Sequence, residues 1–257
     1  MDAATFARRI RSGEPSVGYW VVTDSPVATE RIAHLDCDFV CLDAQHGLIG
    51  TTGIVAGLMA VSAGGRAAGI VRVEANDPTP IGRALDAGAV GVIVPFVETA
   101  ADAAAAVAAA RYPPVGRRSY GPNRSGMRIG PRAAEADATV LVIAMIETQE
   151  GLDNVEAICA TPGLDGVYVG PSDLTLALGG GFPGDPAVQE RFDAAVEAVR
   201  TVALAAGLAV GMHTRDGDSA ARALSQGFTF VSLANDLAHL EQAAAAHLAA
   251  ARQKDTT

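Results

Sequence analysis

The sequence predicts an α/β fold, a single (β/α)8 TIM barrel, from three observations. Eight short apolar runs rich in valine and isoleucine recur at fairly even spacing. Each run is continuous rather than alternating, which is typical of parallel strands buried on both faces. Alanine-rich segments of helical spacing separate the runs, and the 257 residues suit eight strand–helix units in one domain, 1–257. A doubly wound open sheet, which has the same alternation, is the competing prediction.

The predicted elements follow in order along the chain. The strands are 18–22, 39–43, 69–73, 91–97, 139–147, 166–170, 208–213 and 228–234. Segments 98–112 and 187–207 show helical spacing most clearly. Gly-Ala or Gly-Leu pairs precede several strands, as expected where a helix ends at glycine and the chain turns into the sheet. A last amphipathic helix over 237–254 is predicted to cap the barrel or to pack on another subunit.

Charge and composition restrict the partners. The formal net charge of −10 disfavours nucleic acid, because such a surface repels phosphate. The N-terminus has no apolar signal-peptide region, and no apolar stretch approaches the about 18 residues of a membrane span. Cys37, Cys41 and Cys159 form no CxxC motif and are expected to be buried thiols. We therefore expect a cytoplasmic protein without nucleic-acid or membrane partners.

Polar residues stand where several predicted strands end, and in a barrel this edge carries the active site. They are Asp43, Gln45 and His46 after strand two, Arg72 in strand three, Glu147 after strand five, Gly170 to Asp173 after strand six, and His213 at the end of strand seven. If the strands are correctly assigned, these side chains converge on one mouth.

The two carboxylates Glu147 and Asp173 are candidates for a metal site. Glu147 ends a nine-residue apolar run, and a buried carboxylate requires a cation, a hydrogen-bond network or a metal. The two acids would repel each other unless a divalent ion lay between them. Oxygen ligands suit Mg²⁺ or Mn²⁺, and Co²⁺ or Zn²⁺ are alternatives. Asp173 also has a simpler interpretation as a helix N-cap.

Asp43, His46 and Arg72 are candidates for catalysis. An acid beside a histidine is more often a structural hydrogen bond than a catalytic dyad, but an acid that fixes a histidine tautomer also makes a general base. Arg72 interrupts an apolar strand, and its permanent charge must meet an anion, supplied by the acids or by a substrate.

Several motifs together resemble the HpcH/HpaI family of class II pyruvate aldolases. They are DAQHG, VRVEANDP, GVIVPFVET, MIETQEGLDNVEAI and DGVYVGPSDL, in this order, and the resemblance covers about residues 15–240. It implies a homo-trimer or homo-hexamer of (β/α)8 barrels, with the last helix exchanged between neighbours. It implies an enzyme that reversibly cleaves 4-hydroxy-2-oxo acids to pyruvate, or a related 2-oxo acid such as hydroxypyruvate, and an aldehyde.

The resemblance also implies residue roles. Glu147 and Asp173 would hold a divalent metal that pyruvate chelates, and Arg72 would contact the keto oxygen. His46, oriented by Asp43, would be the acid/base group. Backbone N–H groups around Gly170, Pro171, Ser172 and Asp173 would hold the substrate carboxylate. No strand end offers a lysine for a Schiff base, because Lys254 lies in the tail.

Two residues, Gln45 and Met145, depart from the family pattern. Gln45 stands where many relatives have glutamate; it retains hydrogen-bonding groups toward water or substrate but cannot accept a proton. Met145 stands where some relatives have glutamine. Two alternatives stay open: a lyase of the citrate-lyase or malyl-CoA type, and a barrel that binds a 2-oxo acid without turning it over.

The segment 116–132 contains five arginines and no acid. The simpler interpretation is a solvated loop. The functional interpretation is that the segment folds over the mouth of its own or a neighbouring barrel and meets an anionic acceptor or product carboxylate.

Overall fold

A computed structural model describes residues 1–252, and within them eight parallel strands close into a barrel in chain order. The strands are β1 Ser16–Val21, β2 Phe39–Asp43, β3 Ala68–Arg72, β4 Gly91–Val94, β5 Leu141–Ile146, β6 Gly166–Val169, β7 Ala209–Thr214 and β8 Phe230–Leu233. β8 pairs with β1 and completes the ring. The predicted (β/α)8 barrel is therefore confirmed, and the open sheet is excluded.

Helices connect the strands on the outside of the barrel. They are α1 Ala3–Arg11, α2 Pro26–Ala33, α3 Thr51–Gly64, α4 Pro78–Asp86, α5 Ala100–Ala110, α6 Ser125–Arg128, α7 Ala133–Thr139, α8 Gln149–Asp153, α9 Val155–Cys159, α10 Pro171–Ala177, α11 Gln189–Ala205, α12 Gly217–Ser225 and α13 Asp236–Arg252. Side-chain caps begin several of them, including a capping box of Thr99 and Asp102 at α5.

The hydrophobic core has two layers, because each strand directs alternate side chains inward and outward. The outer layer packs the strands against the helices, as Leu42 and Val71 do. The inner layer fills the interior of the barrel with side chains such as those of Cys41 and Ile70. Phe6 of α1 belongs to the same cluster. This alternation continues to the strand ends and decides which polar residues face the barrel axis.

The last helix, α13, is the element predicted to cap the barrel or to pack on another subunit. Within α13 no residue is buried, and Leu237, Leu240 and Leu248 are exposed. Exchange of this helix between subunits stays a prediction, and Lys254 with the predicted end of the helix lies outside the described residues.

Cys41 and Cys159 are buried and Cys37 is half-buried, all as free thiols. In residues 1–252 no helix combines the length and apolar character that crossing a membrane would require.

The arginine-rich segment 116–132 packs against its own chain, away from the barrel mouth. Arg118 is buried and forms an ion pair with Asp86 of α4, and its guanidinium lies over the ring of Tyr112. Arg124 donates to the carbonyl oxygens of Ala87 and Leu58, near the N-terminal end of the strands. The expectation that the segment covers the mouth of its own barrel is therefore wrong. The interpretation as a solvated loop fits Arg117, Arg128 and Arg132, which are exposed, but not Arg118 and Arg124. Contact with a neighbouring barrel stays a prediction.

Candidate active site

A cavity of about 230 Å³ opens at the C-terminal ends of the strands and contains most of the predicted site residues. Its walls are Trp20, Val22, Asp43, His46, Arg72, Met145, Glu147, Tyr168, Gly170, Pro171, Ser172, Asp173, His213 and Asn235. The position agrees with the general placement of active sites in (β/α)8 barrels. Strand periodicity explains the convergence: Asp43, Arg72, Glu147 and His213 each stand two residues after an inward-facing position.

Asp43 and Arg72 form a buried bidentate ion pair, because they are register partners on adjacent strands. Arg72 donates from Nε to Asp43 Oδ1 at 2.9 Å and from Nη2 to Oδ2 at 2.6 Å. Burial opposes ionisation of Asp43, but the hydrogen bonds and charge of Arg72 outweigh it and lower the pKa of the Asp43 carboxyl. Arg72 also lies over the ring of Trp20, 5.1 Å from its centroid. The guanidinium is thus held rigidly, and its Nη1 has no partner among residues 1–252.

The predicted orientation of the His46 ring by Asp43 is wrong. Asp43 Oδ1 accepts hydrogen bonds from the backbone N–H groups of Gln45 and His46, at 3.0 and 3.2 Å, and Oδ2 accepts one from Trp20 Nε1. Together with Arg72, these donors occupy the carboxylate. Asp43 therefore shapes the loop after β2, while the exposed imidazole of His46 makes no hydrogen bond within the described part of the chain.

Gln45 is a predicted site residue that the structure leaves outside the cavity lining. Its side chain is half-buried, and its Oε1 is buried without a hydrogen-bond partner in residues 1–252. The backbone bond from Gln45 to Asp43 fixes the start of the loop, and the next residue, His46, is the one that reaches the cavity.

Glu147 is buried at the end of β5, with 1% of its surface exposed. Its Oε1 accepts a hydrogen bond of 2.9 Å from the Phe96 N–H, whereas Oε2 is buried with no partner in the described chain. Burial raises the pKa of Glu147 to about 7; the Phe96 bond and Arg72 counteract this rise, and the charge of Asp173 adds to it. A buried, half-satisfied carboxylate beside a second one is costly, so the site favours a cation.

Phe96 and Gly170 fix the position of Glu147. Phe96 has a φ of 51°, and among residues 1–252 no other non-glycine residue has a positive φ. This left-handed conformation is unfavourable for a bulky residue and directs the backbone N–H at Glu147. At Gly170 an added Cβ would lie 2.6 Å from Glu147 Oε2, so a side chain there would displace the carboxylate.

The raised pKa of Glu147 predicts a pH-dependent stability for the protein in chelator. An acid whose pKa rises from 4.5 to about 7 on folding binds its proton more tightly in the native state. Its contribution to the free energy of unfolding is complete below about pH 4.5 and is lost as pH rises to about 7, a loss of about 3 kcal/mol. Urea unfolding in EDTA between pH 5 and 8 measures it. Glu147→Gln should lack this pH-dependent portion; parallel curves for the two proteins would contradict the prediction.

Sequence reasoning missed several cavity residues. The cavity is also lined by Trp20, Tyr168 and Asn235. They were missed because none of the three is a charged residue at a predicted strand end. The period-two pattern could have found Trp20 and Tyr168, since each is on an inward-facing strand position. His213 stood at a predicted strand end, but no role was assigned to it.

Comparisons with known proteins agree with this geometry. The model of the HpcH/HpaI aldolase/citrate lyase family matches residues 16–243. A hydroxypyruvate/pyruvate aldolase of Rhizorhabdus wittichii is 41% identical, over 93% of this chain and 95% of the relative. A 5-keto-4-deoxy-D-glucarate aldolase of Klebsiella pneumoniae is 38% identical, over 92% and 94%.

A solved structure of the same family has the same fold. An HpcH/HpaI aldolase/citrate lyase family protein from Burkholderia cenocepacia superimposes with a TM-score of 0.87 at 32% identity, over 97% of this chain and all of that one. The predicted enzyme class, an aldolase and so a carbon–carbon lyase, is confirmed by these relatives. The chain belongs to the HpcH/HpaI aldolase/citrate lyase family.

Proposed function

We propose that this protein is a divalent-metal-dependent aldolase that joins pyruvate or hydroxypyruvate reversibly to an aldehyde. The observation that carries the proposal is the buried Glu147, whose unpartnered oxygen lies in one cavity with Asp173 and the Asp43–Arg72 pair. The relatives named as hydroxypyruvate/pyruvate and 5-keto-4-deoxy-D-glucarate aldolases support a 2-oxo acid donor.

The residues present fit a divalent cation. Glu147 and Asp173 would hold it, and a positive ion would satisfy Glu147 Oε2 and relieve the repulsion between the two acids. In residues 1–252 no group of three or more histidine, cysteine, aspartate or glutamate side chains could hold an ion. A two-carboxylate site leaves positions for water and substrate oxygens, which suits Mg²⁺ or Mn²⁺ better than Zn²⁺ or Co²⁺.

The chain's own groups account for donor binding. The N–H groups of Ser172 and Asp173, in the first turn of α10, are available to the donor carboxylate; Gly170 N–H is already bonded to Ile146 O, and Pro171 has none. Arg72 Nη1 can donate to the 2-oxo oxygen while Asp43 holds the guanidinium in place. The bound cation would act as a Lewis acid that stabilises negative charge on this oxygen.

Proton transfer is assigned to His46, the exposed imidazole at the rim. In cleavage, His46 accepts the proton of the 4-hydroxyl, the C3–C4 bond breaks to release the aldehyde, and charge moves to the 2-oxo oxygen beside Arg72. Protonation of C3 then gives the 2-oxo acid. No lysine of residues 1–252 lies at a strand end to form a Schiff base, because this part of the chain contains no lysine.

Methyl-proton exchange tests the function. NMR of pyruvate in D₂O should show exchange that requires Mg²⁺ or Mn²⁺ and stops with EDTA, since deprotonation at C3 is common to both directions. Absence of exchange with every divalent ion would favour a barrel that only binds 2-oxo acids. Turnover of CoA thioesters but not of free aldehydes with pyruvate would favour the citrate-lyase or malyl-CoA alternative.

His46→Ala should lower kcat about 10²- to 10⁴-fold, the usual contribution of a positioned acid/base group, and leave metal affinity within about twofold. Steady-state kinetics and Mn²⁺ calorimetry measure the two effects. His34→Ala is the matched control, because His34 is exposed and outside the cavity. A large loss of metal affinity in His46→Ala would instead make His46 a metal ligand.

Assembly and location belong to the same proposal. We propose a homo-trimer or homo-hexamer in which the exposed leucines of α13 pack against a neighbouring subunit, since this helix buries no residue within its own chain. We propose a cytoplasmic location, which the three free thiols support. We also propose that 1–257 forms one domain, because the family model spans 16–243.

A further inference from the structure

A chain of three polar side chains crosses the barrel beneath the candidate active site. His213 of β7 and Ser232 of β8 are register partners, and His213 Nδ1 lies 3.0 Å from Ser232 Oγ. The same Oγ is hydrogen-bonded to the hydroxyl of Tyr168, from β6. Tyr168 and Ser232 are completely buried. Neither hydroxyl has another partner among residues 1–252, so this short chain must satisfy both.

Counting the protons in this row of hydrogen bonds determines the tautomer of His213. Tyr168 and Ser232 each have one hydroxyl hydrogen to donate. If His213 Nδ1 donated to Ser232, Ser232 would donate to Tyr168, and the Tyr168 proton would be buried without an acceptor. In the opposite direction Tyr168 donates to Ser232 and Ser232 donates to Nδ1, and every proton is bonded. The second arrangement is favoured because orphaned buried donors are costly.

The consequence is a neutral His213 with its proton on Nε2. Burial, and after it the charge of Arg72, lowers the pKa of His213 to about 4, so the ring stays uncharged at neutral pH. Nε2 has no protein partner in the described chain and is not enclosed. It is therefore a fixed hydrogen-bond donor available to a ligand rather than an acid/base group.

His213 lies at the boundary between two cavities. It lines the candidate active site and also an adjoining cavity of about 410 Å³, with Pro171 and Ser172 shared by both. The remaining walls of the second cavity mix polar and apolar groups: Thr175, Asp185, Gln189, Thr214, Arg215 and Ser219 beside Pro183, Gly184, Phe192 and Met212. Of the donor-binding groups, Arg72 and Asp173 line only the first cavity and Ser172 lines both, so His213 lies between the donor site and the adjoining cavity.

We propose that His213 determines acceptor specificity: its Nε2–H donates to an oxygen substituent next to the aldehyde carbon, and the adjoining cavity receives the rest of the acceptor. The preferred class is hydroxylated aldehydes rather than plain alkyl aldehydes, because an unpaired donor at this boundary penalises an acceptor without an oxygen. This inference rests on the proposed aldolase function.

Two substitutions test the roles of the two His213 ring nitrogens separately. His213→Asn places an amide oxygen near the Nδ1 position, where it can accept from Ser232, but removes the Nε2 donor. His213→Gln places an amide N–H near the Nε2 position. With pyruvate as donor, His213→Asn should lower kcat/KM about tenfold for glycolaldehyde and glyceraldehyde, and less than twofold for propanal. His213→Gln should restore part of the loss. Equal losses for the hydroxylated and alkyl aldehydes would overturn the proposal.

A measurement on the wild-type protein tests the tautomer directly, and one variant serves as its control. Imidazole ¹⁵N shifts should show His213 as the Nε2–H form between pH 6 and 8, and Ser232→Ala should release this preference. A proton on Nδ1 would overturn the inference. Pyruvate methyl exchange by the wild-type protein without aldehyde tests the donor half of the reaction separately. Failure of wild-type exchange would refute the aldolase function while leaving the tautomer result intact, so the two failures are distinguishable.

Discussion

Glu147→Gln is expected to reduce metal-dependent aldol cleavage by about 10³-fold or more. The substitution keeps the size of the side chain and an acceptor for the Phe96 N–H, but it removes the charge that, in the proposed site, would hold the cation. Electrostatic stabilisation of a developing oxyanion contributes about two to three orders of magnitude per group, and a metal adds several kcal/mol. Steady-state cleavage at several Mg²⁺ concentrations, with Mn²⁺ calorimetry, measures the loss of turnover and of affinity together.

Glu150→Gln is the matched control, since it makes the same change three residues later at an exposed position. It should leave both quantities within about twofold of wild type. The fluorescence of Trp20, the one tryptophan of the chain, reports from inside the cavity and shows whether Glu147→Gln keeps the site folded. A Glu147→Gln enzyme with wild-type turnover would contradict the metal assignment.

The barrel and the positions of its polar strand ends could be predicted because both follow from local patterns. Continuous apolar runs mark strands buried on both faces, and the position of Glu147 after such a run indicates burial without any knowledge of its neighbours. The register that pairs Asp43 with Arg72 depends on the tilt and closure of the whole barrel, which no single segment specifies. Sequence reasoning therefore found both residues but paired Asp43 with the nearby His46.

Other features depend on contacts that are distant in sequence. The hydrogen bond from Phe96 to Glu147 spans 51 residues, and the bond between Tyr168 and Ser232 spans 64. The segment 116–132 packs on α4 because Asp86 pairs with Arg118, a choice that its own composition does not reveal. An arginine-rich composition predicts that anionic partners are needed. Which acid supplies the partner can be read only from the three-dimensional structure.

Asp43→Ala is expected to lower the free energy of unfolding by about 3 to 5 kcal/mol, because it leaves the Arg72 guanidinium buried and unpaired. The backbone N–H groups of Gln45 and His46 lose an acceptor as well, so the loop after β2 is loosened. For a protein of this size the melting temperature should fall by about 10 °C. Urea unfolding and thermal melting measure the effect, and Asp43→Ala/Arg72→Met should recover part of the stability by removing the unpaired charge.

Asp165→Ala separates stability from catalysis in the same experiment. Asp165 forms a comparably buried pair with Arg111, but it accepts a hydrogen bond from the Val142 N–H at the opposite end of the barrel. Both variants should be destabilised. At a temperature where both are folded, Asp165→Ala should keep its kcat. Asp43→Ala should lose most of it, because Arg72 would no longer be held in the position proposed for contact with the 2-oxo oxygen. Equal kcat in the two variants would show that the Asp43–Arg72 pair serves the fold alone.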